Sequence, residues 1–107
     1  MSHRSNAGSY YKPQPVDFIL LAKMPEQGMI GGIHWKGRRV KDLRQEIVDE
    51  GVDASLITLP FVTARVRSMA VEGLVQQYGG SNSGHIWART QKGTEFLAQR
   101  DTILGAA

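Results

Sequence analysis

The clearest pattern of apolar and polar positions lies in the second half of the chain. Val62, Val66 and Met69 recur at steps of four and three residues, which is the spacing of one face of an α-helix. Gly73 continues this uncharged face and suits the left-handed residue that closes a helix. The pattern therefore predicts a helix over residues 60–73.

A β-hairpin and a final helix are predicted directly after it. Residues 74–78 (LVQQY) and 85–89 (HIWAR) are short segments typical of strands. The loop between them, 79–84 (GGSNSG), has nothing to bury, and its glycines permit positive φ. Thr90 is a predicted N-cap, because its hydroxyl can accept a hydrogen bond from an unpaired amide. The helix that it begins is predicted over residues 91–104.

Two further helices are predicted in the first half. The first covers residues 15–24, with Asp17 in the first turn, where a carboxylate suits the helix dipole. It is apolar on more than one face, so we expect it to be buried on most sides, partly against a second subunit. The second helix covers residues 40–50, with Leu43 and Ile47 on its inner face.

The predicted elements imply one domain, residues 15–104, that is preceded by an arm. Residues 1–14 are polar, small and weakly basic, which is typical of a flexible terminus. The alternative interpretation is an arm that lies along DNA through Arg4, Lys12 and the tyrosine pair that precedes Lys12.

The composition limits the classes of protein to which the chain can belong. The chain has 107 residues, no cysteine and a formal net charge of +3, so it has no disulfide framework and is compatible with a reducing cytosol. We therefore expect a cytoplasmic protein. The longest apolar run, Phe18 to Ala22, is far short of a membrane span, so we expect no membrane association. The mild positive charge permits nucleic-acid binding without requiring it.

The sequence contains no pattern that predicts an active site. His3, His34 and His85 are scattered, whereas zinc sites show closely spaced ligand pairs. The glycine loop 79–84 lacks the Gly-Lys-Ser/Thr of a phosphate-binding loop. We expect no enzyme activity, no metal and no cofactor.

Basic residues collect around the start of the predicted second helix. They are Lys36, Arg38, Arg39, Lys41 and Arg44. The helix dipole favours acidic residues there by a few tenths to about 1 kcal/mol per charge, so local stability does not explain the cluster. A phosphate group prefers a helix N-terminus that is flanked by cations. The alternative is a solvated basic face that binds nothing.

The order helix, hairpin, helix resembles the second half of a winged helix-turn-helix domain. The segments VTARVRSMAVEGLV and ARTQKGTEFL carry the resemblance. The first contains Met69, three variable positions and Gly73-Leu74-Val75; the second contains Thr90 and Gly93. The arrangement is similar to that of multiple-antibiotic-resistance repressors and many small phage regulators.

This resemblance implies a mainly α fold with a small β-hairpin wing, in the α+β class. It implies a sequence-specific, double-stranded DNA-binding transcriptional regulator, either a repressor or a phage accessory factor. The recognition helix, about 60–73, would enter the major groove, and the wing, 79–84, would lie near the minor groove. We expect a homodimer through the first and last helices. The alternative is a winged helix used as a protein–protein interaction module, an adaptor or an inhibitor, which the mild charge and the neutral wing tip favour.

The resemblance also implies which residues touch DNA. Four major-groove residues are implied on the recognition helix: Thr63, Ala64, Arg67 and Ser68. Arg67 is expected to pair with guanine, and Arg65 to reach a phosphate or an acidic neighbour. The implied backbone contacts at the second helix are Arg38, Arg39, Lys41 and Arg44. The implied wing contacts are Asn82, Ser83, His85 and Arg89.

Overall fold

The computed structural model describes residues 11–26, 38–78 and 86–105. In chain order the elements are α1 (Pro15–Lys23), β1 (Arg38–Arg39), α2 (Val40–Asp49), a 3-10 turn (Ala54–Leu56), α3 (Leu59–Val71), β2 (Val75–Tyr78), β3 (Ile86–Arg89), α4 (Gln91–Ala98) and α5 (Arg100–Gly105). Together they form a mainly helical α+β fold with a small antiparallel sheet, like that of a winged helix, which confirms the predicted fold class.

Helix α1 packs against α3 and α4. Asp17 accepts a hydrogen bond from the backbone amide of Gln14, the residue before the helix. Phe18, Leu20 and Leu21 are buried, whereas Ile19 remains 40% exposed. The helix is therefore buried on most sides, as predicted, and open on the side of Ile19.

Helix α3 begins one residue earlier than predicted. Thr58 is its N-cap and accepts a hydrogen bond from the amide of Phe61, so the chain has a favourable cap that the apolar pattern did not reveal. At the other end Gly73 has a φ of 80°. The amide of Leu74 bonds to the carbonyl of Met69 across 2.9 Å. This is the Schellman ending, so the predicted role of Gly73 is confirmed.

The three strands form an antiparallel sheet in the order β1-β3-β2. Trp87 of β3 is paired with Arg38 on one side and Gln77 on the other. Strand β1 therefore adds a third strand to the hairpin. Trp87 is buried, which attaches the sheet to the helices.

Helix α2 packs against α3. The residue before α2, Arg39, makes no side-chain cap, and Asp53 caps the 3-10 turn by accepting a bond from the amide of Ser55. One apolar cluster joins these elements, and Phe96 and Leu97 pack half-buried at its margin. The cluster comprises Leu20, Leu21, Met24, Leu43, Ile47, Ile57, Val62, Val66, Met69, Leu74, Val75 and Trp87.

The C-terminal region differs from the single helix predicted over residues 91–104. The chain turns at Gln99, whose amide bonds to the carbonyl of Phe96, three residues back. Phe96 stacks on Phe18 with ring centroids 5.1 Å apart, which holds α4 against α1. No glycine or proline marks this turn, so the sequence carried no local signal for it. Within the described ranges no helix is long and apolar enough to cross a membrane.

Candidate nucleic-acid interface

The outer side of α3 presents most of the residues that were expected to face the major groove. Ala64 and Arg67 are exposed, and Thr63 and Ser68 are half-buried beside them. Arg67 makes no hydrogen bond or ion pair with any described residue. The opposite side of the helix is buried in the core through residues such as Val66. The packed helix therefore places Arg67 on its outer side, where its guanidinium has no partner among the described residues.

Arg65 has a different environment from Arg67. Its Nε donates to Oδ1 of Asp17 across 2.9 Å, and its Nη2 donates to Oδ2 across 2.7 Å. The same Nη2 donates to the backbone carbonyl of Lys12. Hydrogen bonding to Asp17 is the main cause of a raised pKa at Arg65. Arg65 was expected to reach either a phosphate or an acidic neighbour, and the structure shows it bound to an acidic neighbour, Asp17.

Tyr11 completes this cluster from the arm. Its hydroxyl donates to Oδ2 of Asp17 across 2.6 Å, and its ring lies 5.8 Å from the guanidinium carbon of Arg65. Burial, and then the hydrogen bond to Asp17, raise the pKa of Tyr11 above its ordinary value. The last four residues of the predicted arm, 11–14, are thus held against the domain. Residues 1–10, including Arg4, lie outside the described residues.

Two arginines of the basic cluster bind groups within the protein. Arg38 forms an ion pair with Glu46. Arg44 donates from Nε to the carbonyl of Ile57 across 2.7 Å and from Nη2 to the carbonyl of Ala54. Arg44 therefore fixes the segment that connects α2 to α3. The two acceptors are 13 and 10 residues away along the chain, which is why the sequence pattern did not reveal this role.

Of the other three cations of the cluster, Lys36 lies outside the described residues, and Arg39 and Lys41 have no such partners within them. Lys41 is exposed and makes no hydrogen bond or ion pair with a described residue. Nε of Arg39 is buried and has no hydrogen-bond partner among the described residues. The amides of the first turn of α2 are left uncapped by a side chain. An anion at this position would meet two cations and unpaired amide groups.

Arg89 lies at the base of the hairpin and also points inward. Its Nη1 donates to the carbonyls of Leu21 and Met24, and its Nε donates to the hydroxyl of Thr94. It therefore satisfies carbonyl groups at the end of α1 and ties β3 to that helix. The other expected wing contacts, Asn82, Ser83 and His85, lie outside the described residues.

The start of α4 is joined to the end of α3. The hydroxyl of Thr90 accepts from the amide of Gly93 and donates to the carbonyl of Gly73. Lys92 donates to the carbonyl of Glu72. Thr90 is thus an N-cap, as predicted, and also a contact that fixes the C-terminus of α3.

Val71 is a residue of this surface that the sequence interpretation did not assign. It lies one helical turn beyond Arg67 and is 73% exposed. Its position on the side opposite the core was visible in the helical spacing, but a valine there carried no chemical signal by itself. The structure places it on the same exposed side of α3 as Arg67.

No group of three acidic or histidine side chains that would hold a metal ion occurs in residues 11–26, 38–78 and 86–105. Comparison of the chain with models of known protein families, with curated proteins and with solved structures gave no significant match.

Proposed function

We propose that the chain is a sequence-specific, double-stranded DNA-binding transcriptional regulator of the winged-helix type, with α3 as its recognition helix. The observation that carries the proposal is Arg67, an exposed guanidinium without a partner among the described residues, on the outer side of a helix whose other side is buried. An arginine so placed can donate two hydrogen bonds to O6 and N7 of guanine, the commonest base-specific contact in the major groove.

The phosphate backbone is proposed to bind at the start of α2. Among the described residues Lys41 has no hydrogen-bond or ion-pair partner and Nε of Arg39 has no hydrogen-bond partner. The uncapped amides of the first turn add the positive end of the helix dipole. Backbone contacts of this kind set the register of the protein on the duplex. The remaining expected backbone residues, Arg38 and Arg44, support this surface from within through their contacts with the protein.

The homodimer is proposed to form through α1 and the C-terminal helices. An open groove between them is lined mainly by apolar side chains, and Ile19 within it is 40% exposed. We expect sedimentation analysis at high protein concentration to show a dimer, and Ile19→Asp to shift it towards monomer. A monomeric wild-type protein at high concentration would remove this part of the proposal. The groove is lined by Phe18, Ile19, Ala22, Lys23, Leu97 and Arg100.

A protein–protein interaction module is the second candidate, and exposed apolar side chains favour it. Leu56 and Val71 are each 73% exposed and Leu59 is 45% exposed. Exposed apolar residues mark interaction sites when they form a contiguous patch. Internal pairing of Arg38 and Arg89 also lowers the number of cations available to DNA.

Selection from a pool of random duplex DNA, at two salt concentrations, separates the two candidates. For the regulator we expect an enriched sequence and an affinity that falls steeply with salt, because phosphate contacts release counterions. Arg67→Ala should relax the preference at one base pair by roughly 1–3 kcal/mol. Lys41→Ala is the matched control, since it removes one positive charge and should weaken all sequences equally. If the wild-type protein binds no duplex at low salt, the DNA-binding proposal fails.

A further inference from the structure

We propose that Val71 determines specificity by contacting the C5 methyl group of a thymine close to the guanine that Arg67 recognises. The inference rests on the proposed DNA binding. It names the chemical group of the DNA that the second half of α3 contacts. It assigns a role to a side chain that neither the core nor the capping of the helix uses.

The outer side of α3 carries one straight ridge of exposed residues. Pro60, Ala64, Arg67 and Val71 follow one another at steps of four, three and four, and each is exposed. Arg67 is the charged member of this ridge. The ridge is therefore apolar apart from one guanidinium, which is unlike the mixed charged surface of an ordinary solvent-facing helix.

The stability of the helix does not explain a valine at this position. Val71 is 73% exposed, so it contributes little to the core. A β-branched residue restricts its own rotamers in a helix and has a lower helix propensity than alanine. The helix ending is provided instead by Gly73 and the bond from Leu74 to Met69. The side chain is thus available for contact with an apolar group of the ligand.

The major groove offers one apolar group that fits this requirement. Among the base edges exposed there, thymine presents a C5 methyl, whereas guanine presents the O6 and N7 acceptors that suit arginine. Arg67 and Val71 are four residues apart, which is about 6 Å along the helix axis. Base pairs are spaced by about 3.4 Å. The methyl should therefore lie within about two base pairs of the guanine.

Replacement of thymine by deoxyuridine tests this contact directly, because it removes the methyl and keeps every hydrogen-bonding group. Each thymine of the selected duplex is replaced in turn, and binding of the full chain is measured by fluorescence anisotropy. We expect replacement of one thymine, within two base pairs of the guanine that Arg67→Ala identifies, to lower the affinity of the wild-type protein about fourfold. Val71→Ala should bind the unmodified duplex about fourfold more weakly and lose nothing further on that replacement.

The control variant is Leu56→Ala, which removes an equally exposed apolar side chain, 73%, from outside α3. It should keep the full deoxyuridine effect. The inference is overturned, while DNA binding stands, if every replacement is neutral for the wild type or if Val71→Ala retains the wild-type penalty. Absence of duplex binding by the wild type would overturn both proposals at once, and selection alone reveals that outcome. Val71 is exposed, so Val71→Ala should leave the thermal unfolding midpoint essentially unchanged.

Discussion

Arg65 and Asp17 lie 48 residues apart in the chain and form a two-pronged ion pair, with N–O distances of 2.9 and 2.7 Å. Asp17 is completely buried, so its charge is removed from water and needs a partner that supplies both charge and hydrogen bonds. The pair joins α1 to α3 beside the packing of the core.

Loss of this pair should destabilise the fold strongly. Arg65→Met leaves a buried carboxylate without its cation, and we expect the free energy of unfolding to fall by about 3–5 kcal/mol. Urea denaturation followed by circular dichroism measures it. Arg67→Met is the control, because Arg67 lies on the same helix but is exposed and unpaired in the described chain, and it should change stability by no more than about 0.5 kcal/mol. Equal effects of the two variants would refute the structural role of Arg65.

The stabilisation that Tyr11 provides should be lost in alkaline solution. Its pKa is raised in the folded state from an ordinary value of 10.0, so the folded protein holds the phenolic proton more tightly than the unfolded chain does. The resulting stabilisation is complete below pH 10 and is lost as the pH rises further. Tyr11→Phe has no proton to lose there. We expect its urea midpoint to fall less than that of the wild type between pH 8 and pH 11, and parallel declines would contradict this.

Gly93 should not tolerate a side chain. A Cβ at this position would overlap the carbonyl oxygen of Leu74 and press on the side chain of Arg89. Because backbone atoms cannot move aside as a flexible side chain can, Gly93→Ala should cost about 1–3 kcal/mol or more in unfolding free energy. Gly105→Ala is the matched control, since nothing lies within 4 Å of its added Cβ. Similar thermal midpoints for the two variants would be inconsistent with this packing.

Substitution of Arg44 and of Lys41 should distinguish a cation that stabilises the fold from one that is proposed to bind DNA. Arg44→Ala removes the bonds to the carbonyls of Ile57 and Ala54, so we expect a loss of stability of about 1–3 kcal/mol and little change in the salt dependence of DNA affinity. Lys41→Ala should leave stability nearly unchanged and reduce the slope of log affinity against log salt by about 1. A lowered slope with Arg44→Ala would instead mean that Arg44 contacts phosphate.

Local sequence was sufficient for most of the elements. The spacing of Val62, Val66 and Met69 identified α3, and Gly73 and Thr90 identified a helix end and a helix start. These features depend on interactions within a few residues, such as helical periodicity and capping bonds. The chain turn at Gln99 was not predicted, because no glycine or proline marks it.

The sequence by itself determined most of the elements and which residues lie on the outer side of α3, because helical periodicity depends on neighbours in the chain. Only the tertiary structure decided which cations of the described residues have a partner within the protein. Arg38, Arg44, Arg65 and Arg89 are chemically equivalent to Arg67 in the sequence, yet each binds a carboxylate or a carbonyl group within the protein. Some of these acceptors lie as many as 68 residues away. Side-chain partners across such separations are set by packing, which no local pattern encodes.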